Sequence, residues 1–415
     1  MCRFLVPLAF ALTAFSGASV LAQTVGAAAA PAPLTLAAAV QLALDRHPDL
    51  SAARREVDAT EGARTQAGAI QNPSLSVEAE DLRRDNRTTT VMLSQPFELG
   101  GKRAARIAAA ERATELARAQ LDGKQAELRA SVTAAFLASL IAQERVRLAQ
   151  ASLDLARSGS QATGKRVVSG KVSPVEETRA KLAEANVRLE LIQAQGELQA
   201  SLHELRALTT RSTGIDAVDG NALALPAMPA QEAIEQRITD APALRQARLE
   251  VRRLGALADV ESARRVPDIT VNAGFKRTQD PGARNQAVVG ISIPLPVFDT
   301  NRGAIVEALR RQDKAEDEAR AVELRLRADV AATRQRHATA LAEVAAVQTD
   351  ILPGAQSAFD AASKGFEAGK FDYLEALDAQ RSLLQARAQY LRSVAEVHRA
   401  ATDLDRLLGA PHSNP

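Results

Sequence analysis

Ser169-Gly170-Lys171-Val172-Ser173-Pro174 and Ala368-Gly369-Lys370-Phe371-Asp372-Tyr373 are the stretches from which the fold of this chain can be read. Each is a Gly-Lys turn that ends a very long Ala-rich helical pattern and starts a shorter one. Pro174 suits the first turn of the helix that follows. Read outward from these turns, most of the sequence falls into two copies of one unit.

The first copy covers residues 34–208. Thr35 caps a helical pattern carrying Leu36, Val40, Leu42 and Leu44, which breaks at His47-Pro48, resumes through Leu50 and Val57, and stops near Asn72-Pro73. The period then changes to two, over a hairpin at 73–97. Leu75, Val77 and Ala79 face one way, against Ser74, Ser76, Glu78 and Glu80. Past a polar tip at 83–87, Thr89, Val91, Leu93 and Phe97 oppose Thr90, Met92 and Ser94. The long helix begins after Glu98-Leu99-Gly100-Gly101-Lys102-Arg103 and reaches the first turn, a span of roughly 100 Å. The return helix runs from Pro174 to Leu208. Val175, Leu182 and Leu189 recur there at heptad spacing, with Ala185 and Ile192 beside them, which reads as a coiled-coil seam.

Residues 209–230 read as a linker, and 231–409 repeat the unit. Pro73-Ser74-Leu75-Ser76-Val77 is echoed by Pro267-Asp268-Ile269-Thr270-Val271, at the start of a second hairpin over 267–297. Its second strand carries Val289, Ile291, Ile293, Leu295 and Val297, and Pro294 and Pro296 belong at its end, where lost ladder bonds matter less. A second long helix follows, interrupted at Pro353-Gly354. The last helix has Leu377, Leu384 and Leu391 on one heptad position, and Leu383, Tyr390, Val397 and Leu404 on the adjacent one. The fold class is therefore mainly α with a small β part. The two shorter helices of each unit, laid end to end, match the long one.

Composition excludes several functions. There is no Trp, aromatics are 3% and charged residues 25%, which suits long helices with narrow seams. A net charge of +2, evenly spread, marks no nucleic-acid face. His47, His203, His337, His398 and His412 are scattered, and no nucleophile–base pair or phosphate loop is present, so neither a metal centre, a cofactor nor catalysis is expected. Residues 1–22 read as a secretory signal cleaved after Ala22, with a flexible leader over 23–33 and a tail over 410–415. The apolar run is too short for a membrane anchor, and the single cysteine, Cys2, lies inside it, so no mature lipid anchor is expected. No later run is long enough for a transmembrane helix, so any span is made of strands. Four strands cannot close a membrane barrel, whose smallest natural form has about eight. If the hairpins lie in lipid, several chains share one barrel; otherwise they are half buried on a soluble core.

The duplicated helix–hairpin–long helix–turn–helix unit, the Gly-Lys turns and Leu377-Asp378-Ala379-Gln380 resemble the outer-membrane factors, the TolC-like efflux proteins of Gram-negative bacteria. Leu93-Ser94-Gln95-Pro96-Phe97-Glu98-Leu99-Gly100-Gly101-Lys102-Arg103 and Gly170-Lys171-Val172-Ser173-Pro174-Val175-Glu176-Glu177-Thr178-Arg179 are most similar to the branch serving cobalt–zinc–cadmium efflux pumps. The resemblance implies a homotrimer whose four strands per chain form one twelve-stranded barrel in outer-membrane lipid, above a periplasmic helical tunnel. It implies docking onto a periplasmic adaptor (membrane fusion protein) and an inner-membrane resistance-nodulation-division pump. It makes Glu375 and Asp378 an acidic ring at the periplasmic entrance, where spacing alone would equally allow a solvated helix face. It gives Gly170, Lys171, Glu176, Gly369 and Lys370 roles in the entrance and in docking. Phe366 and Phe371 stand where the family has hydrogen-bonding side chains. The same duct could serve drug export or protein secretion, and a secreted coiled-coil structural protein is the remaining alternative.

Overall fold

The computed structural model describes residues 34–81, 87–211, 214–279 and 284–409. The signal and leader, both hairpin tips and the tail lie outside these residues. Helix α1 (Leu36–Arg46) is capped by Thr35, whose Oγ1 accepts from the Ala38 N–H at 3.4 Å. Pro48 cannot donate back into α1, so the chain turns at His47 and restarts as α2 (Pro48–Ala67). Strands β1 (Ser74–Glu80) and β2 (Thr88–Phe97) lead to α3 (Lys102–Val168) and α4 (Pro174–Leu208). The second unit contributes α5 (Gln231–Asp240), α6 (Pro242–Ala263), β3 (Ile269–Thr278), β4 (Arg284–Ser292), α7 (Arg302–Ala346), α8 (Leu352–Glu367) and α9 (Tyr373–Leu408).

α3 runs for 67 residues straight through Gly159 and Gly164. Its counterpart is interrupted by a π-helical turn, Val347–Ile351, between α7 and α8. Pro353 has no N–H to return to the Thr349 carbonyl and its ring crowds that oxygen, so the helix widens by one residue instead of stopping. α2, α4, α6 and α9 all pack on α3, and α6 and α9 also pack on α7.

The seam between α3 and α4 differs from the heptad read in the sequence. Ala180, Ala183, Val187, Leu191 and Ala194 are the buried row of α4, and the last three pack on Ala149, Leu153 and Ala156 of α3. Val175, Leu182, Leu189 and Ile192 point away from the chain, with Leu182 62% exposed. Small side chains let two long helices approach closely, so the alanine row takes the intrachain contact and the larger side chains are left outside.

The segment 209–230, read as a linker, is laid against the helices. Ile215, Val218 and Ala222 are buried, and Val218 forms a parallel bridge with Leu34. The Gln143 amide holds Val218 from both sides: its Nε2 donates to the carbonyl at 3.0 Å and its Oε1 accepts the N–H at 2.9 Å. His398 Nε2 lies 2.8 Å from the Ala222 carbonyl and His337 Nε2 lies 3.3 Å from that of Pro226. Two of the scattered histidines are thus anchors for this strap.

The four strands form one antiparallel sheet in the order β1-β2-β3-β4. Val77 opposes Val91, Val91 opposes Phe275, and Val271 opposes Ile291, so the apolar residues of both hairpins share one face. Among the described residues nothing covers that face: Val77 is 66% and Ile291 69% exposed. β4 stops at Ser292, short of the Val297 expected, because Pro294 ends its ladder with β3. Below the sheet, Lys102 Nζ meets Asp268 Oδ1 at 2.7 Å, and the Leu99 N–H donates to the same oxygen at 3.1 Å. Glu98 accepts hydrogen bonds from Nη1 and Nη2 of Arg106, which hold its carboxyl below the usual glutamate range. The Lys102–Asp268 bridge ties the first unit to the start of β3 in the second. Among the described residues no helix is long and apolar enough to cross a membrane.

The bare apolar face generates a test. Val77→Arg at mid-bilayer depth is expected to cost about 2–4 kcal/mol and to deplete assembled protein in the outer-membrane fraction. Ser76→Arg, on the opposite face, is expected to leave assembly close to wild type, as read by quantitative blotting of that fraction.

Candidate functional site at the paired turns

Both Gly-Lys turns close by the same backbone device. Gly170 and Gly369 adopt φ of 70°, a left-handed conformation that costs glycine nothing. The Lys171 N–H donates to the Arg166 carbonyl and the Gly170 N–H to that of Val167. The Lys370 N–H likewise reaches Gly365, and the Gly369 N–H reaches Phe366. This paired closure satisfies the last carbonyls of α3 and α8 and leaves the side chains of Lys171 and Lys370 in solvent. The restarts differ. Ser173 Oγ accepts from the Val175 N–H at 3.3 Å to cap α4, whereas Asp372, in the equivalent place, makes no such bond to α9.

The two turns are joined to each other through Arg166. Its guanidinium lies over the Phe366 ring, 4.0 Å from the centroid, and its Nη2 donates to the Glu367 carbonyl at 3.0 Å. Glu367 ends α8, so the cation also meets the negative end of that helix. Phe366 is held edge-on against Tyr373, with centroids 5.6 Å apart, in a cluster with Ala180, Ala183 and Leu377. Burial pushes the Tyr373 hydroxyl above its usual range, only partly offset by Arg381. Phe371 lies on Gly365, where a Cβ would collide with its ring. Phe366 is thus held between the Tyr373 ring and the Arg166 cation, while Phe371 covers Gly365.

Glu375 and Asp378 follow on α9, both exposed, on the face away from buried Tyr373 and Leu377. Among the described residues neither makes an ion pair or a hydrogen bond with another side chain. On α4, Glu176 is half buried, and its Oε2 is shut off from solvent without a hydrogen-bond partner among the described residues. Sequence reading singled out Gly170, Lys171, Glu176, Gly369, Lys370, Glu375 and Asp378, and all lie on or just past the two turns. It missed Arg166, because nothing local distinguishes that residue among 52 Lys and Arg. Among the described residues no group of three or more His, Cys, Asp or Glu side chains could hold a metal ion.

The paired turns thus lie at one end of α3 and the sheet with its bare apolar face at the other. The pattern of the family described as "Outer membrane efflux protein" matches residues 39–211 and 233–410, and the chain belongs to that family. It is 45% identical over 381 residues to the cobalt-zinc-cadmium resistance protein CzcC of Cupriavidus metallidurans, covering 92% of this chain and 91% of that one. It is 29% identical over 300 residues to the nickel-cobalt-cadmium resistance protein NccC of Alcaligenes xylosoxydans xylosoxydans, covering 70% and 67%. Its fold matches a solved structure of CusC with a TM-score of 0.77, at 18% identity over 91% of this chain and 92% of that one. VceC of Vibrio cholerae matches with a TM-score of 0.76, at 19% identity over 91% and 97%. The protein is a channel component of the outer membrane and not an enzyme.

The Arg166 link generates a second test. Arg166→Ala removes the carbonyl bond and a ring contact worth about 0.5–2 kcal/mol. Spin labels on Lys171→Cys and Lys370→Cys, sparsely incorporated, are expected to show a broader turn-to-turn distance distribution in that variant. Arg166→Lys keeps the charge but not the planar stack, and is expected to fall between the two.

Proposed function

We propose that the protein is the outer-membrane duct of a tripartite resistance-nodulation-division efflux system that carries heavy-metal cations of the cobalt, zinc and cadmium kind to the exterior. The observation that carries the cargo is the 45% identity to a cobalt-zinc-cadmium resistance protein, extending over nearly the whole of both chains. Multidrug export or protein secretion through the same duct is the alternative.

The assembly is a homotrimer. β1 and β4 each leave one edge bare, and lipid does not tolerate such edges, so copies of the sheet must close on one another. The number three comes from the family resemblance. The outward row Val175, Leu182, Leu189 and Ile192 on α4 supplies a second contact between copies. Glu375 and Asp378 ring the periplasmic entrance, where repeated carboxylates around one axis attract cations. The turns bearing Gly170, Lys171, Gly369 and Lys370 meet the periplasmic adaptor, and through it the pump. A donor on a neighbouring chain would satisfy Glu176.

Two measurements test this. A strain lacking the protein is expected to become sensitive to cobalt, zinc and cadmium, and to regain resistance on complementation. Sensitivity to drugs with metal resistance unchanged would instead favour the alternative. The double change Glu375→Gln with Asp378→Asn is expected to weaken cation preference and multivalent-cation block in single-channel recordings, with trimer stability little changed. Glu323, paired with Arg327 at 3.0 Å on α7, is the control; Glu323→Gln is expected to leave selectivity unaltered.

A further inference from the structure

We infer that Arg277 and Arg87, at the outer end of the apolar side of the sheet, hold the phosphate of a lipid head group in the outer leaflet. The acyl chains of that lipid lie on the row below, against Phe275 and Val91. The inference rests on the membrane-inserted sheet proposed above and adds a ligand site to its rim.

The register assigns the side. Val77, Val91, Phe275 and Ala287 form one row across the sheet, and Ala79, Thr89, Arg277 and Asn285 form the next row toward the hairpin tips. Opposed residues of an antiparallel pair share a side, and so do residues two apart along a strand. Arg277 therefore stands on the side of the apolar rows. Arg87 lies two residues before Thr89, and its carbonyl accepts from the Gln279 N–H, which carries the β2–β3 ladder one step past Thr88 and Thr278. Arg87 thus shares the side of Arg277 and is its diagonal neighbour, about 7–8 Å away at the backbone. Two guanidinium groups at that spacing can converge on one phosphate, each with a planar fork of donors.

The two sides of the sheet treat their cations differently. Lys276, on the other side, meets Glu80 Oε2 at 3.4 Å. Arg277 and Arg87 are exposed, and among the described residues neither forms an ion pair. A cation on the lipid side of a membrane strand is costly at mid-bilayer and nearly free at the interface, so Arg277 belongs at head-group level. The change from an apolar row to one holding Thr89, Arg277 and Asn285 marks the same level. The helices leave the sheet from its opposite end, and in an outer-membrane channel they are periplasmic, so this level is the outer leaflet. The row below supplies the apolar half of the site: Phe275 is 53% exposed and Val91 half buried. Free phosphate would engage the arginines alone. A phosphorylated glycolipid, with phosphate on its sugars and acyl chains beneath, engages both rows, and this favours the lipid.

Lipid A, a phosphorylated glycolipid, tests the site on the full-length channel purified in detergent. Native mass measurement is expected to show the parent chain retaining added lipid A in preference to phosphatidylcholine at equal concentration. Arg277→Gln is expected to weaken retention at least about tenfold, as the loss of a charge-assisted bond does. Arg87→Gln is expected to act in the same direction. Arg277→Lys keeps the charge without the fork and is expected to fall between parent and Arg277→Gln. Arg284 opposes Thr278 on the other side of the rim, so Arg284→Gln is expected to leave retention unchanged. Equal retention by the parent and Arg277→Gln overturns the site, as does an equal loss from Arg284→Gln. Should Arg277→Gln fail to assemble, Arg87→Gln decides by the same comparison. Displacement of lipid A by inorganic phosphate, but not by chloride at the same ionic strength, assigns the arginines to a free anion and overturns the lipid. A parent chain that assembles without preferring lipid A overturns this inference alone, and one that stays monomeric overturns the duct.

Discussion

A backbone N–H or C=O without a partner in lipid is costly because no water is there to take the partner's place. β1 and β4 each present a row of such groups, and the sheet between them turns an uncovered apolar face outward. Neither feature could persist in a single soluble chain without inviting aggregation. The same constraint organises the helices. The hairpins must stay at one end, so α3 carries the chain to the turns and α4 and α9 return beside it.

Duplication meets this demand with one design used twice, and the two copies differ in how their long helices run and how their turns are built. In the first, the long helix is continuous and its turn leads into a Ser-capped return helix. In the second, Pro353 introduces a π turn, and the end of α8 carries Phe366, on which Arg166 of the first copy stacks. The second copy also carries Glu375 and Asp378. The strap over 214–230 lies between the units, held by Gln143 from α3, His337 from α7 and His398 from α9. It therefore binds both halves at mid-height, while Lys102 and Asp268 bind them beneath the sheet.

The helices, turns and hairpins were legible in the sequence because each has a local cause. The period of apolar residues separates helix from strand, Gly supplies the left-handed turn, and Pro at 48, 174 and 242 marks helix starts. The candidate carboxylates were legible as a spacing, and both are exposed on α9. Arg166 was not legible, because its partners come from the other end of the sequence and no local pattern announces a cation over a distant ring.

What the sequence by itself determined is the order and type of the elements, their duplication and the apolar face of each hairpin. All of these depend on neighbours in the chain. What only the tertiary structure decided is which of two apolar rows on α4 is turned inward, that 214–230 is a packed strap, and that Phe366 is gripped by Arg166. The physical reason is that a heptad of large residues and a row of alanines both read as seams. Which one is buried depends on how closely α3 can approach, and that distance is set by residues on a different helix.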